Sequence, residues 1–397
     1  MRRTTQDWWS LGHIPMMLQN LRRRHAWFTD NASAHQIANF VIAGTQFFLK
    51  SEVLRAWPVL VKVDISPLCN LKCVSCVHAQ VLDDGDELLR QQSFSRNQKM
   101  SVAHFERIVS EVAGKALAVS LYYLGDPLVH PDLDQMCQIS AAARLNSHVA
   151  TNFSFRLSDE RLYRLLTSGL THFTASVDGM RQESYELTRV GGRIDLVLDN
   201  LDRLLKIRRE LGQKYPKVEV QYIKFQHNVD QLKDAIEWSQ NRGVDQFSEF
   251  WGDLHNYADH NPERLTVFGP KSVRAMPQCM WPYFSIQIKY DGDVIPCCVH
   301  RLADQYRTGY GVDSRAVGNI FSSSIWEVWN SPEYRTLRQF VSNPQRALHD
   351  SSLSKTFCDA CPTIFDTDIA SHLRTSDKHD WHELYGINEG ESAPKRK

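Results

Sequence analysis

The chain has 397 residues, with 46 Lys+Arg balanced by 46 Asp+Glu for a formal net charge of zero. That length supports one large domain plus a smaller one, and nothing in the balance suggests a nucleic-acid or acidic-polymer partner. Nine Cys is an odd number, and most of them fall in ligand-like spacings, which argues against a secreted disulfide framework and for a reducing cytoplasm.

No stretch reaches the roughly 18 uninterrupted apolar residues of a membrane span. The opening M-R-R-T-T-Q-D-W-W-S lacks the apolar core of a signal peptide. Residues 1–57 read as a helical extension, because Ile37, Phe40, Val41, Phe47 and Phe48 recur at near-helical spacing. One reading is a cap packed on the main domain. The other is an interfacial segment in peripheral membrane contact through Trp8, Trp9, Met16, Met17 and the basic run Arg22, Arg23, Arg24.

From residue 58 a strand–helix alternation begins. Strands are expected at 59–66, 117–124, 148–152, 172–178, 218–225 and 246–251. Helices are expected at 101–113 (capped by Ser101), 132–144, 158–168, 194–211 and 229–242. Six such units imply parallel strands with right-handed crossovers. Binding groups in such folds gather at the C-terminal ends of the strands.

The first strand runs into S-P-L-C-N-L-K-C-V-S-C-V-H, whose Cys69, Cys73 and Cys76 have the spacing C-x3-C-x2-C. Three thiolates this close can hold three irons of a four-iron cluster and leave the fourth iron open to an outside ligand. A zinc site using His78, or unrelated free thiols, are the alternatives for the triplet alone. The second strand ends in G-D-P-L-V-H-P, the third in A-T-N-F and the fourth in S-V-D-G, followed by Y-E-L-T-R-V-G-G-R. Singly, each polar residue there reads as a turn or helix cap. The sixth strand leads into S-E-F-W-G-D-L-H-N-Y, where Glu249, Asp253 and His255 are candidates for deprotonating a hydroxyl or orienting a polar substrate. Further on come Cys279, Cys297 within G-x4-C, and the C-x2-C pair Cys358 and Cys361, with a zinc ribbon as the alternative reading. Cys298 adjoins Cys297 as an alternate ligand, and Cys137 reads as a buried thiol.

The triplet in its C-N-L-K-C setting resembles the signature of the radical S-adenosylmethionine superfamily, and the resemblance spans about residues 58–370. It implies a partial (β/α)6 TIM-type barrel at 58–265, with the helical extension 1–57 before it and a tail at 371–397 after it. Reductive cleavage of S-adenosylmethionine to a 5′-deoxyadenosyl radical would start hydrogen abstraction from a substrate. G-D-P resembles the family's Gly-Gly-Glu-Pro stretch, with Leu124 in place of the first Gly and Asp126 in place of Glu. Ser75 stands where the family often has an aromatic or apolar residue. The implied cofactor contacts are Gly125, Asp126, Pro127, Thr151, Asn152, Ser176, Asp178 and Arg189, the last facing the cofactor carboxylate.

The C-terminal pattern resembles the SPASM domain or its shortened form, twitch, at 266–370. Cys279, Cys297, Cys358 and Cys361 would close one auxiliary cluster, giving two 4Fe-4S clusters, with Cys69, Cys73 and Cys76 on the first. The implied partners are an external one-electron reductant of the flavodoxin or ferredoxin type and a substrate. A helical extension short for leader-peptide recognition favours a small polar molecule of sugar or cyclitol type. A peptide-modifying maturase and a non-catalytic iron–sulfur or zinc protein are the alternatives.

Overall fold

The computed structural model describes residues 23–73, 76, 97–225, 227–251, 267–270, 274, 276–297, 316–353, 356, 358, 361 and 364–367. Six strands run in chain order: β1 (Leu60–Val63), β2 (Ala118–Ser120), β3 (Asn146–Thr151), β4 (His172–Ser176), β5 (Lys217–Lys224) and β6 (Gln246–Trp251). All five neighbouring pairs are parallel. The connecting helices include α3 (Val102–Val112), α4 (Leu133–Ala142), α5 (Asp159–Thr167), α7 (Ile194–Glu210) and α8 (Leu232–Arg242). Ser101 and Ser158 cap α3 and α5 through their side chains, satisfying amides that the first turn leaves open. A short α6 (Gln182–Thr188) precedes α7; the sequence pattern gave no separate signal for it.

The sheet order is β6-β5-β4-β3-β2-β1-β8-β9, an α/β partial barrel. Strand β8 (Ser285–Ile288) lies parallel to β1, pairing Lys62 with Gln287, and then turns back into β9 (Val294–Ile295). The segment that carries the C-terminal cysteines thus extends the barrel's own sheet. A separate two-stranded sheet joins β7 (Val267–Pro270) to β10 (Phe365–Thr367).

Side-chain alternation along the strands separates two environments. Val61, Val63, Val119, Val149, Phe173, Val218 and Val220 belong to the apolar core beneath the helices. Their neighbours Lys62, Ser120, His148, Thr174 and Glu219 point the other way, into the barrel, and are buried. Burial of that many polar groups requires mutual hydrogen bonding. Ser120 Oγ lies 3.4 Å from His148 Nδ1, His148 Nε2 lies 2.9 Å from Thr174 Oγ1, and Thr174 donates to Glu219 at 3.1 Å.

The N-terminal helices α1 (His25–Thr29) and α2 (Ala34–Phe48) close the barrel from below, at the N-terminal ends of the strands. Gln36 donates to the carbonyls of Ala116 and Arg144, and Trp27 Nε1 donates to His172 Nδ1 at 2.9 Å. Arg23 and Arg24 enter the lumen and both pair with Glu219. Arg24 Nη2 also sits 3.2 Å from His148 Nε2. Burial and the Arg24 charge hold His148 neutral, well below its ordinary range, and burial takes His172 down to about 3. Two of the three arginines of the basic run therefore belong to the barrel floor and face no membrane. Arg22, Trp8, Trp9, Met16 and Met17 lie outside the described residues.

Glu219 is 3 % exposed and compensates two arginines at once. Glu219→Ala leaves both cations beneath the barrel without their carboxylate, and loss of one partner of a buried pair destabilises by about 3–5 kcal/mol. Denaturant unfolding of the cluster-free protein should show a loss in that range. A loss under about 1 kcal/mol, the range of exposed pairs, would mean that the floor is solvated.

Candidate active site

The loop after β1 is shaped by contact with the turn after β2. Asp126 N–H donates to the Leu68 carbonyl at 2.8 Å. A Cβ on Gly125 would lie 2.1 Å from Leu68 O, 2.4 Å from Ser66 O and 2.6 Å from Leu68 N, so only glycine lets the two loops approach. Gly125→Ala must push the cysteine loop outward, because every atom it meets is backbone. Overpacking of this kind costs about 1–3 kcal/mol. The variant should lose iron from the first site and bind S-adenosylmethionine more weakly by equilibrium dialysis. Wild-type iron content with wild-type affinity would show the loop to be free of this turn.

Asp126 is buried, and its carboxylate is fully engaged. It accepts from Thr151 Oγ1 at 2.8 and 2.9 Å, from the Asn152 amide at 2.8 Å and from the Leu128 amide at 3.0 Å. Burial pushes this carboxyl up to about 6, with the three partners opposing. Asp126 thus ties the second strand end to the third, and it caps the short 3-10 turn that Pro127 begins. In the same motif His130 bridges the Met100 carbonyl and the Asp132 amide.

Asn152 reaches from there to the cysteine loop. Its Nδ2 donates to Asn70 Oδ1 at 2.8 Å and lies 3.8 Å from Cys69 Sγ, and the Leu71 amide lies 3.5 Å from that sulfur. On the other side of the loop, Arg189 pairs with the buried Asp178 and extends Nη1 to 3.9 Å from Cys73 Sγ. Asp178 also accepts from the Ile223 amide at 2.8 Å. N–H donors therefore surround two of the three sulfurs, an environment that suits thiolate ligands. Burial raises the Cys69 thiol well above its ordinary range, and Asp126, Cys73 and Cys76 add to this. Such thiols ionise when a cation binds them. Ser176 is the inward-facing last residue of β4, paired in register with Gln221. The structure thus gathers Gly125, Asp126, Thr151, Asn152, Asp178 and Arg189 around the triplet. Ser75 and His78 lie outside the described residues.

Glu249 stands apart from this set. It pairs in register with Tyr222, and its neighbour Ser248 pairs with Gln221 on the inward-facing row of Glu219, so alternation turns Glu249 to the outer face. There it pairs with Lys224 at 3.3 Å and is half exposed. Asp253 and His255 lie outside the described residues, as does Cys298.

Four other described cysteines, Cys279, Cys297, Cys358 and Cys361, collect at the opposite end of the barrel. Cys279 precedes the short helix α9 (Trp281–Phe284), which enters the lower end of β8, and Cys297 follows β9 as the chain returns to that end. The buried Cys358 is pushed well up by desolvation and by its neighbours Cys361, Cys279 and Cys297, so the four thiols lie in one region. Among the described residues no three His, Cys, Asp or Glu side chains converge on a point for a single metal ion. The site is framed by α10 (Ile325–Trp329) and α11 (Pro332–Ser342). Arg338 of α11 is fully buried and donates to the carbonyls of Pro282, Glu52 and Trp329, locking these helices to the segment before β1. Cys137 is a buried thiol in α4, as its helical setting suggested.

Asn70, Asp64 and the ring of polar lumen residues were not singled out from the sequence. Asp64 directly follows β1, is fully buried, and is raised to about 7 by desolvation, with the Leu124 amide and Lys289 opposing. Its signal was present as an acidic residue at an inward position of an apolar strand.

Comparison with known proteins agrees with this arrangement. The Radical SAM superfamily profile matches residues 63–238, and the SPASM iron–sulfur cluster-binding profile matches 279–362. The cofactor-modifying protein of the tungsten-containing aldehyde ferredoxin oxidoreductase of Pyrococcus furiosus is 22 % identical over 342 residues, 77 % of this chain and 90 % of that protein. Mycofactocin maturase MftC of Mycolicibacterium smegmatis is 21 % identical over 309 residues, 71 % of this chain and 73 % of its own. The crystal structure of Streptococcus suis SuiB bound to the precursor peptide SuiA superposes with a TM-score of 0.53 at 14 % identity, covering 82 % of this chain and 78 % of that one. No helix among the described residues is long and apolar enough to cross a membrane. With both halves of the pattern matched in order, the chain belongs to the radical S-adenosylmethionine superfamily as an enzyme with a C-terminal SPASM iron–sulfur domain.

Proposed function

We propose that the protein is a peptide- or protein-modifying oxidoreductase that removes hydrogen from an unactivated C–H bond inside the barrel. The observation that carries this is the placement of two cysteine sets at opposite ends of one polar lumen, separated by on the order of 15 Å of strand. At the upper end, Cys69, Cys73 and Cys76 would hold a 4Fe-4S cluster, which when loaded supplies the electron that cleaves S-adenosylmethionine. Asn152 and Arg189 present N–H groups to this loop, and Asp178 holds Arg189 in place for the cofactor carboxylate. Gly125 keeps the loop seated, and Asp126 aligns Thr151 and Asn152 with it. At the lower end, Cys279, Cys297, Cys358 and Cys361 would hold a second cluster. A site with four protein thiols has no position for a substrate ligand, which favours electron acceptance and a net oxidation. Four cysteines suit the shortened, twitch form of the domain, with one auxiliary cluster.

The substrate occupies the space between. Lys62, whose Nζ lies 5.6 Å from the Trp281 ring and 5.0 Å from the Tyr122 ring, and the buried Gln287 face it from β1 and β8. Arg23, Arg24 and Glu219 form its floor. A peptide is favoured over the sugar or cyclitol first expected. The relatives that match across both halves include a maturase, and the SuiB structure holds a precursor peptide. The test is incubation of reconstituted enzyme with S-adenosylmethionine, dithionite and the short polypeptides encoded beside its gene, with a panel of sugars and cyclitols in parallel. A peptide losing two hydrogens by mass, with matching 5′-deoxyadenosine, supports the reading. Turnover of a sugar or cyclitol alone would overturn it.

A further inference from the structure

Two buried tyrosine hydroxyls have no hydrogen-bond partner among the described residues, and each has cysteines of one set in its electrostatic surroundings. Tyr185 lies on α6, one turn before Arg189 on the same helical face, and is fully buried. Its ring packs where Gly192 has no side chain; a Cβ there would come within 2.7 Å of Tyr185 Cε1 and 3.3 Å of Leu71 in the cysteine loop. Arg189, Asp178, Cys73 and Asp126 are the charged and thiol groups that act on its hydroxyl. Tyr334 lies in the first turn of α11, also fully buried, with its ring 4.8 Å from that of Trp329. Arg338, Cys297 and Cys358 are the charged and thiol groups that act on its hydroxyl. Arginine has no acceptor to offer, and Arg338 already donates to three carbonyls.

Phenylalanine would fill either space without leaving a buried donor unmet, so a hydroxyl at each position calls for an acceptor. Asp178 already accepts from Arg189 and the Ile223 amide, and Asp126 from Thr151, Asn152 and Leu128, which leaves cysteine sulfur as the acceptor chemistry common to both positions. We propose that Tyr185 and Tyr334 each donate a hydrogen bond to a sulfur of the iron–sulfur group held by the adjacent cysteines, one tyrosine per cluster, and thereby set its reduction potential. A donor to sulfur stabilises the reduced, more negative cluster. The inference rests on both cysteine sets holding clusters and is independent of the substrate.

The test compares Tyr185→Phe and Tyr334→Phe with wild type, each reconstituted anaerobically and titrated by EPR in the absence of S-adenosylmethionine. Iron content should match wild type. Tyr185→Phe should lower the potential of the first cluster and leave the second unchanged, and Tyr334→Phe should do the reverse, so each variant controls for the other. The cluster-free variants should melt no lower than wild type, since no protein hydrogen bond is lost. Full iron with unchanged potentials overturns the inference while sparing the two-cluster reading, whereas wild-type protein without iron sinks both. An unchanged potential in Tyr185→Phe with a raised dissociation constant for S-adenosylmethionine moves that hydroxyl to the cofactor carboxylate and overturns its assignment to sulfur.

Discussion

Replacement of Cys69, Cys73 and Cys76 together by Ala should remove about four of about eight irons from the reconstituted enzyme. It should also take 5′-deoxyadenosine formation to the level of dithionite alone. The effect is large because these three sulfurs converge on one loop, and no described cysteine outside the set lies near it: Cys137 is in α4, and the other four gather at the far end of the sheet. The variant should still fold. The loop is held by backbone contacts, Asp126 N–H to Leu68 O and Lys72 N–H to Val190 O, which do not involve the thiols. Iron analysis with far-ultraviolet circular dichroism checks both parts. Retention of all the iron would mean that the triplet is not a ligand set.

Loss of Cys361 should act differently. Cys358 and Cys361 lie in one turn, Cys361 N–H to Cys358 O at 3.1 Å, and reach Cys279 and Cys297 from far along the chain. Binding one cluster there closes a long loop, so metal and folding are coupled. Cys361→Ala should lose the second cluster, about four irons, and expose the chain after residue 270 to limited proteolysis. The barrel should survive, since β1 to β6 pair without these residues. 5′-Deoxyadenosine should then form within about tenfold of the wild-type rate, a change of about 1.4 kcal/mol in barrier. The oxidised product should not form. Full oxidation by this variant would remove the electron-acceptor role. Cys298→Ala should keep both clusters if Cys297 is the ligand.

The barrel was legible because its signals are local. Strand–helix alternation, the Ser101 and Ser158 caps and the cysteine spacing each occupy a few residues. The six expected strands and the five expected helices appear, shifted by one or two residues at most ends and by up to four where loops follow the strands. The convergence of Asp126, Thr151, Asn152, Asp178 and Arg189 was legible only through their order along the chain, which the parallel topology turns into proximity. What the sequence concealed depends on three-dimensional partners. Arg23 and Arg24 look like a surface basic run until Glu219, almost two hundred residues away, is placed beside them. Glu249 looks like a pocket residue until strand alternation, counted from Ser248, turns it outward. Strand β8 beside β1 joins segments more than two hundred residues apart, and no local pattern announces such a pairing. Tyr185 and Tyr334 read as ordinary core aromatics, because an unmet hydroxyl becomes visible only when its surroundings are known.

The central claim is that the open three-cysteine loop drives reductive cleavage of S-adenosylmethionine. It is tested most directly by anaerobic incubation of the reconstituted wild-type enzyme with S-adenosylmethionine, with and without dithionite, and quantification of 5′-deoxyadenosine by mass spectrometry. Formation of 5′-deoxyadenosine and methionine in equal amounts, only with reductant and only with Cys69, Cys73 and Cys76 intact, is the predicted result. An iron-loaded wild-type protein that forms none would contradict the account.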